Sequence, residues 1–209
     1  MTAPGADRRE APQGALEAQV AALRARLAAR PRHGGAPADH PARPAAVLAL
    51  LVPRDGELRL VFTLRPEELA AHGGQISFPG GKCTPADADA AACALREAAE
   101  ELGVAPASVE VLGLLDDVVT PTGFLITPVV GRVPAEPVYQ PDPGEVAAVF
   151  AVPLARLAAV GRDAGVIPYG GVEYRMYEYP VEGRVVWGAT ARMVHQLLEL
   201  WLSPAPAGP

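Results

Sequence analysis

The stretch that leaves this chain least freedom runs from Phe78 to Val104. Pro79, Gly80 and Gly81 open it, a polar turn follows, and the segment Ala90 to Leu102 leads to Gly103. Ala90 to Leu102 is made almost wholly of strong helix formers, so a helix is its expected conformation. Pro85 with Asp87 or Asp89 marks the helix start. Gly103 is the residue that stops it, because glycine takes a left-handed turn without steric cost. Gly80 and Gly81 supply a backbone that passes close to a ligand or adopts positive φ.

Residues three and four apart are neighbours on a helix surface. Glu97 and Glu101 therefore stand one turn apart, Glu100 lies beside Glu97, and Arg96 reaches Glu100. Cys93, Leu95, Ala98, Ala99 and Leu102 supply apolar surface for packing. Three carboxylates on one turn repel one another unless cations join them, and oxygen-only ligands suit hard ions such as Mg²⁺ or Mn²⁺. Such ions neutralise phosphate oxygens and activate water. A bare Arg-Glu-x-x-Glu-Glu is more often a solvated charged face. The glycine pair before this one, and Gly103-Val104 after it, shift the reading to a metal-dependent site.

The segment resembles the Nudix box, whose pattern is glycine, five residues, glutamate, seven residues, then Arg-Glu-aliphatic-x-Glu-Glu-x-Gly-aliphatic. Arg96, Glu97, Glu100, Glu101, Gly103 and Val104 match its catalytic half. Asp87 stands at the glutamate position, eight residues separate it from Arg96, and Ala98 is smaller than the usual aliphatic. Upstream, Thr63-Leu64-Arg65-Pro66 and the run from His72 to Gly81 are similar to the additional motif of the coenzyme A pyrophosphatase branch. That branch also has the longer, aspartate-bearing box. Pro66 stands where its motif has Ser or Ala, and Ala70 where it often has Arg.

The resemblance implies an α/β/α sandwich with a mixed, strongly curved sheet. It implies hydrolysis of the diphosphate of coenzyme A or a derivative, giving a phosphopantetheine and adenosine 3′,5′-bisphosphate. Glu97, Glu100 and Glu101 would hold Mg²⁺ or Mn²⁺, Arg96 would orient them, and Gly80 and Gly81 would shape the site. Glu145 would bind metal or act as general base, its alternative being simple exposure. Phe124 would stack on an adenine ring. Arg65 is placed to clamp a phosphate or to pair with Glu67 or Glu68. His72 is a general base, a substrate contact or a structural hydrogen-bonder. Three other functions stay open: a Nudix hydrolase of ADP-ribose, dinucleotides or nucleoside triphosphates, a non-catalytic sensor on the same fold, and an assembly protein built on the N-terminal helix.

A net charge of −6 argues against a nucleic-acid footprint, which needs a basic face, but not against a phosphate-rich ligand that arrives with metal. No run approaches the roughly 20 apolar residues of a membrane helix, and the first residues lack an apolar signal core. The cytosol is the expected compartment. Cys83 and Cys93 form no Cys-x-x-Cys pair, and no disulfide is expected there.

Three segments are expected: residues 1–37 as an N-terminal helix and Pro/Gly-rich linker, 38–203 as the hydrolase domain, and 204–209 as a frayed tail. In the helix from Gly14 to Arg30, Leu16, Val20, Leu23 and Leu27 form one apolar stripe. It serves docking on the chain's own domain, a homodimer or a lid. Ala45 to Pro53 is apolar throughout, as a buried central strand requires, and Asp55-Gly56 turns it into Leu58 to Leu64. Strands follow at Gln75 to Phe78, Val109 to Leu115 and Leu125 to Val133, the last expected at an edge or bulge because of Pro128. A strand from Ala147 to Val152, a hairpin from Ile167 to Pro180 and a helix from Thr190 to Leu202 complete the chain.

Overall fold

The computed structural model describes residues 13–35, 42–67, 73–169 and 172–204. The elements run in order as α1 (Gln13–Ala29), β1 (Arg43–Arg54), β2 (Glu57–Leu64), β3 (Ile76–Ser77), β4 (Gly80–Lys82), α2 (Ala90–Leu102), β5 (Glu110–Leu114), β6 (Val118–Val119), β7 (Phe124–Arg132), β8 (Ala148–Pro153), α3 (Leu154–Val160), β9 (Arg162–Tyr169), β10 (Val172–Val181), β11 (Arg184–Val186) and α4 (Gly188–Leu202).

β1 is the axis of the fold. Every residue from Ala45 to Val52 is buried, because both faces of this strand are covered. Alternate side chains point to opposite faces of a strand. Val47, Ala49 and Leu51 enter one core with Val20, Leu23 and Leu27 of α1 and Val194, Leu197 and Leu198 of α4. Ala46, Leu48 and Leu50 enter the other with Cys93, Ala94, Ala98 and Leu102 of α2. Helices thus cover both faces of one sheet. The sheet is mixed: β1 runs parallel to β7 and antiparallel to β2 and β4. The expected α/β/α sandwich is the fold observed. A second sheet, in the order β11-β10-β9, lies beside it in the chain's last third.

A fork in the main sheet positions the site. β1 and β2 pair only near their shared turn, from Leu51↔Leu60 to Arg54↔Glu57. Beyond that they diverge, and residues 76–82 fill the gap. β3 pairs with β2 at Thr63↔Ser77, β4 pairs with β1 at Ala46↔Gly81, and Leu48 N–H donates to the Pro79 carbonyl at 2.8 Å. Phe78 anchors the wedge, stacked on Phe62 with ring centroids 5.3 Å apart.

Pro128 does not mark an edge. β7 lies inside the sheet, between β1 and β5. Pro128 falls where the neighbour of β7 changes from β6, paired up to Ile126, to β5, paired from Val129. At that junction the missing N–H removes no ladder bond on the β5 side; there the Pro128 carbonyl accepts from Leu115 N–H at 2.9 Å.

The apolar stripe of α1 is used within the chain: Val20, Leu23 and Leu27 are buried in the main core. Polar contacts fix the helix end. Arg30 and the backbone N–H of His33 donate to Asp116 at 2.6 and 2.9 Å, while Arg32 and Gly35 N–H hold Asp117. Asp116 and Asp117 are therefore anchors for α1; the His33 side chain itself is exposed, with Nδ1 3.6 Å from Asp116. Leu23→Ala is expected to destabilise the protein by about 2–4 kcal/mol in urea unfolding, the usual cost of such a cavity. A change under about 0.5 kcal/mol would show that α1 is not part of this core.

Candidate functional site

The acidic helix begins and ends where its residues dictate. The Asp89 carboxylate caps it by accepting from Ala92 N–H at 2.8 Å, and Gly103 closes it at φ 70°. This leaves Asp87 free for another task. It takes Arg96 in a two-pronged grip, Nε to Oδ1 at 2.9 Å and Nη2 to Oδ2 at 3.0 Å. Arg96 and the Thr84 backbone hold the Asp87 carboxyl far below the usual carboxylate range. Arg96 donates onward to the Lys82 carbonyl at 3.1 Å, to Glu97 at 2.8 Å and to Glu100 at 2.9 Å. One guanidinium therefore ties the turn before the helix to two glutamates on it. Arg96→Lys keeps the charge but loses the planar fork. It is expected to lower kcat about 10- to 100-fold, as changes in groups that orient ligands do, with far-UV circular dichroism unchanged.

The three glutamates have different surroundings. Glu100 is exposed and rests on Arg96. Glu97 is mostly covered; burial raises its pKa, Arg96 opposes the shift, and the charges of Glu100 and Glu145 add to it. Its carboxylate lies against Gly81, where a Cβ would meet Glu97 Oε2 at 2.4 Å. Glu101 is 4% exposed, and its Oε2 accepts from Gly80 N–H at 3.3 Å. Burial pushes the Glu101 carboxyl up to about 7, Glu145 and Glu97 push the same way, and Gly80 N–H and Arg65 pull it down.

The fold thus sets Glu101 and Glu97 against Gly80 and Gly81, within reach of the charges of Arg65 and of the exposed Glu145. Glu145 arrives from a turn closed by its own N–H to the Asp142 carbonyl at 3.0 Å. Glu97 and Glu101 lie against Gly81 and Gly80, while Glu100 rests on Arg96 at the surface. Among the described residues no three His, Cys, Asp or Glu side chains stand in ready metal-ligand geometry, and Arg96 occupies one oxygen each of Glu97 and Glu100. The donor set nonetheless suits a hard divalent cation. It is all oxygen, and its buried member is held against two like charges with a single backbone donor in partial compensation.

Beside these carboxylates lies a cavity of about 760 Å³, within the range of small-molecule sites. Arg65, Ile76, Val146, Ala147, Arg184 and Val185 are on its wall. The Thr190 hydroxyl, at the start of α4, donates to the Ile76 carbonyl at 3.2 Å and ties that helix to the wall. Phe124 is not among the lining residues. It begins β7 and carries the Arg43 guanidinium 4.1 Å from its ring centre. His72 and Ala70 lie outside the described residues. Sequence reasoning missed two participants, Asp87 as the holder of Arg96 and Arg184 on the cavity wall. The first had a signal, a second aspartate two residues before the helix cap. The second had none, since β11 reaches the cavity only through tertiary packing.

No helix among the described residues is long and apolar enough to cross a membrane. The NUDIX domain family matches residues 42–169. The chain is similar to the protein named uncharacterized Nudix hydrolase NudL of Shigella flexneri, with 40% identity over 177 residues, 84% of this chain and 91% of that protein. It is 41% identical to the protein of the same name from Escherichia coli K12 over 164 residues, 78% of this chain and 85% of the relative. A Nudix hydrolase from M. smegmatis, RenU, superposes with a TM-score of 0.47 at 20% identity, covering 56% of this chain and 74% of that one. With a family model spanning most of the chain and relatives at this identity along nearly their whole length, the chain belongs to the Nudix hydrolases, enzymes that cleave phosphorus-containing anhydrides in nucleoside diphosphate derivatives.

Proposed function

We propose that this protein hydrolyses the diphosphate of coenzyme A or its derivatives, giving a phosphopantetheine and adenosine 3′,5′-bisphosphate. The observation that carries the hydrolytic site is the buried Glu101 carboxylate under Gly80 N–H, crowded by Glu97 and Glu145 beside a cavity of nucleotide size. The coenzyme A reading is supported by the run from His72 to Gly81 and by Thr63-Leu64-Arg65.

Glu97, Glu100 and Glu101 would hold Mg²⁺ or Mn²⁺. When bound, such an ion supplies Lewis acidity toward the phosphate oxygens and lowers the pKa of water. Arg96 keeps Glu97 and Glu100 on the site side of the helix. Gly81 leaves room for the Glu97 carboxylate, and Arg65 offers a guanidinium to a non-bridging phosphate oxygen. Glu145 is the base: it takes the proton of the attacking water as the new P–O bond forms and the bridging P–O bond breaks.

The test is incubation with Mg²⁺ or Mn²⁺ and a panel of coenzyme A, ADP-ribose, NADH and deoxynucleoside triphosphates, with products identified by mass. Coenzyme A is expected to give the two named products. Brisk cleavage of ADP-ribose with none of coenzyme A would replace the substrate assignment. Chelation by EDTA is expected to lower turnover more than about 100-fold, with recovery on adding either metal back.

A further inference from the structure

Arg184 belongs to none of the segments that carry the hydrolytic chemistry. It begins β11, in the second sheet, yet it enters the wall of the cavity that Arg65 lines from the end of β2. Its guanidinium stands 5.9 Å from the centre of the Phe150 ring, a contact that orients the side chain without using its N–H donors. Two other arginines of the same sheet are neutralised, Arg162 by Glu178 and Arg175 by Asp163. Among the described residues Arg184 has no such carboxylate. Arg65, on the same wall, has a buried Nε with no hydrogen-bond partner among the described residues.

The wall therefore carries two guanidiniums against one carboxylate, Glu67, in a chain whose net charge is −6. Two guanidiniums on the lining of one cleft, one of them without a carboxylate partner among the described residues, mark a site for an anion. The two arginines divide that task. Arg65 follows the end of β2 and lines the cavity with Val146 and Ala147, next in the chain to Glu145, which suits it to the diphosphate under attack. Arg184 lies on another element, and Ile76, Val146 and Val185 give the wall its apolar part.

We propose that Arg184 forms a second anion subsite, one that binds a phosphate monoester of the substrate other than the diphosphate being cleaved. The substrate class is then a nucleoside diphosphate ester carrying an additional phosphate on its nucleoside. This rests on the hydrolytic reading above and narrows it, because ADP-ribose and NADH carry no such group.

The decisive comparison is coenzyme A with dephospho-coenzyme A, which differ only in that phosphate. The wild-type protein is expected to favour coenzyme A in kcat/KM by about ten-fold or more, the worth of a charge-assisted hydrogen bond. In Arg184→Ala that ratio is expected to fall toward one through a rise in KM for coenzyme A. Arg184→Lys is expected to retain part of it, since it keeps the charge and loses the fork. A ratio near one in the wild type, or one unmoved by Arg184→Ala, overturns the subsite. Calorimetric titration of both proteins with adenosine 3′,5′-bisphosphate and with AMP separates this idea from the function it rests on. If neither coenzyme is cleaved, the proposed function fails. The subsite is then decided by whether the bisphosphate binds about ten-fold tighter than AMP to the wild type alone.

Discussion

Glu101→Gln is expected to stop hydrolysis and, at the same time, to make the metal-free protein more stable at pH 8. Both follow from one placement. The side chain is 4% exposed, takes a single backbone N–H from Gly80 and lies near Glu97 and Glu145. Gln keeps an oxygen for Gly80 N–H and removes the charge. Turnover is expected to fall at least about 100-fold with a divalent ligand gone. The stability change has the opposite sign. The carboxyl titrates at an ordinary value in the unfolded chain and is pushed up to about 7 in the fold. Between those values the folded state binds more protons, so stability falls as pH rises through this window. Allowing for solvent screening, the loss is about 2 kcal/mol by pH 8. Gln avoids it, which corresponds to a rise in Tm of about 4–8 °C for a chain of this size. Well below the ordinary glutamate range the carboxyl is protonated in both states and the two proteins should melt together. A variant that is equally stable at pH 8, or that turns over at the wild-type rate, would remove the assignment of Glu101 as a buried anionic ligand.

The second large effect separates the two adjacent glycines. At Gly80, φ is 154° and a Cβ would lie 2.4 Å from the Ala46 carbonyl oxygen and 2.6 Å from Val47 Cα. These are backbone atoms of the central strand and have nowhere to go. Gly80→Ala is expected to cost about 3–5 kcal/mol, or to prevent soluble expression, as severe backbone conflicts do. At Gly81 the nearest atoms are the carboxylate oxygens and Cδ of Glu97, the far end of a flexible side chain. Gly81→Ala is therefore expected to keep the fold, with a stability change under about 1.5 kcal/mol, and to displace Glu97 from its position. Its activity should fall at least about ten-fold. Urea unfolding and steady-state turnover on the two variants check the contrast. Equal stability losses in both would mean that Glu97 does not occupy the space over Gly81.

The most legible parts of the sequence were those governed by near neighbours. The helix Ala90–Leu102, its cap at Asp89 and its stop at Gly103 follow from propensity and end chemistry. The strands around Asp55-Gly56 follow from continuous apolar runs and a turn signal. The stripe from Leu16 to Leu27 was visible, but its partner was not. It packs on the sheet and α4, and is fastened by contacts such as Arg30 to Asp116, 86 residues apart. Pro128 signals an edge or a bulge; the strand is interior, a register irregularity at Val111/Gly113 lies on the facing strand nearby, and the switch of neighbour strand beside Pro128 depends on a register that no local pattern encodes.

By itself the sequence determined a glycine pair, an acidic helix and the presentation of Glu97, Glu100 and Glu101 along one flank, because helical spacing and turn chemistry are local. Tertiary structure alone decided which charges share a site. It buried Glu101, left Glu100 exposed, brought the charges of Glu145 and Arg65 to bear on the carboxylates and placed Arg184 on the cavity lining. The physical reason is the fork between β1 and β2. It admits residues 76–82 over α2, and its geometry comes from strand pairings between residues far apart in the chain.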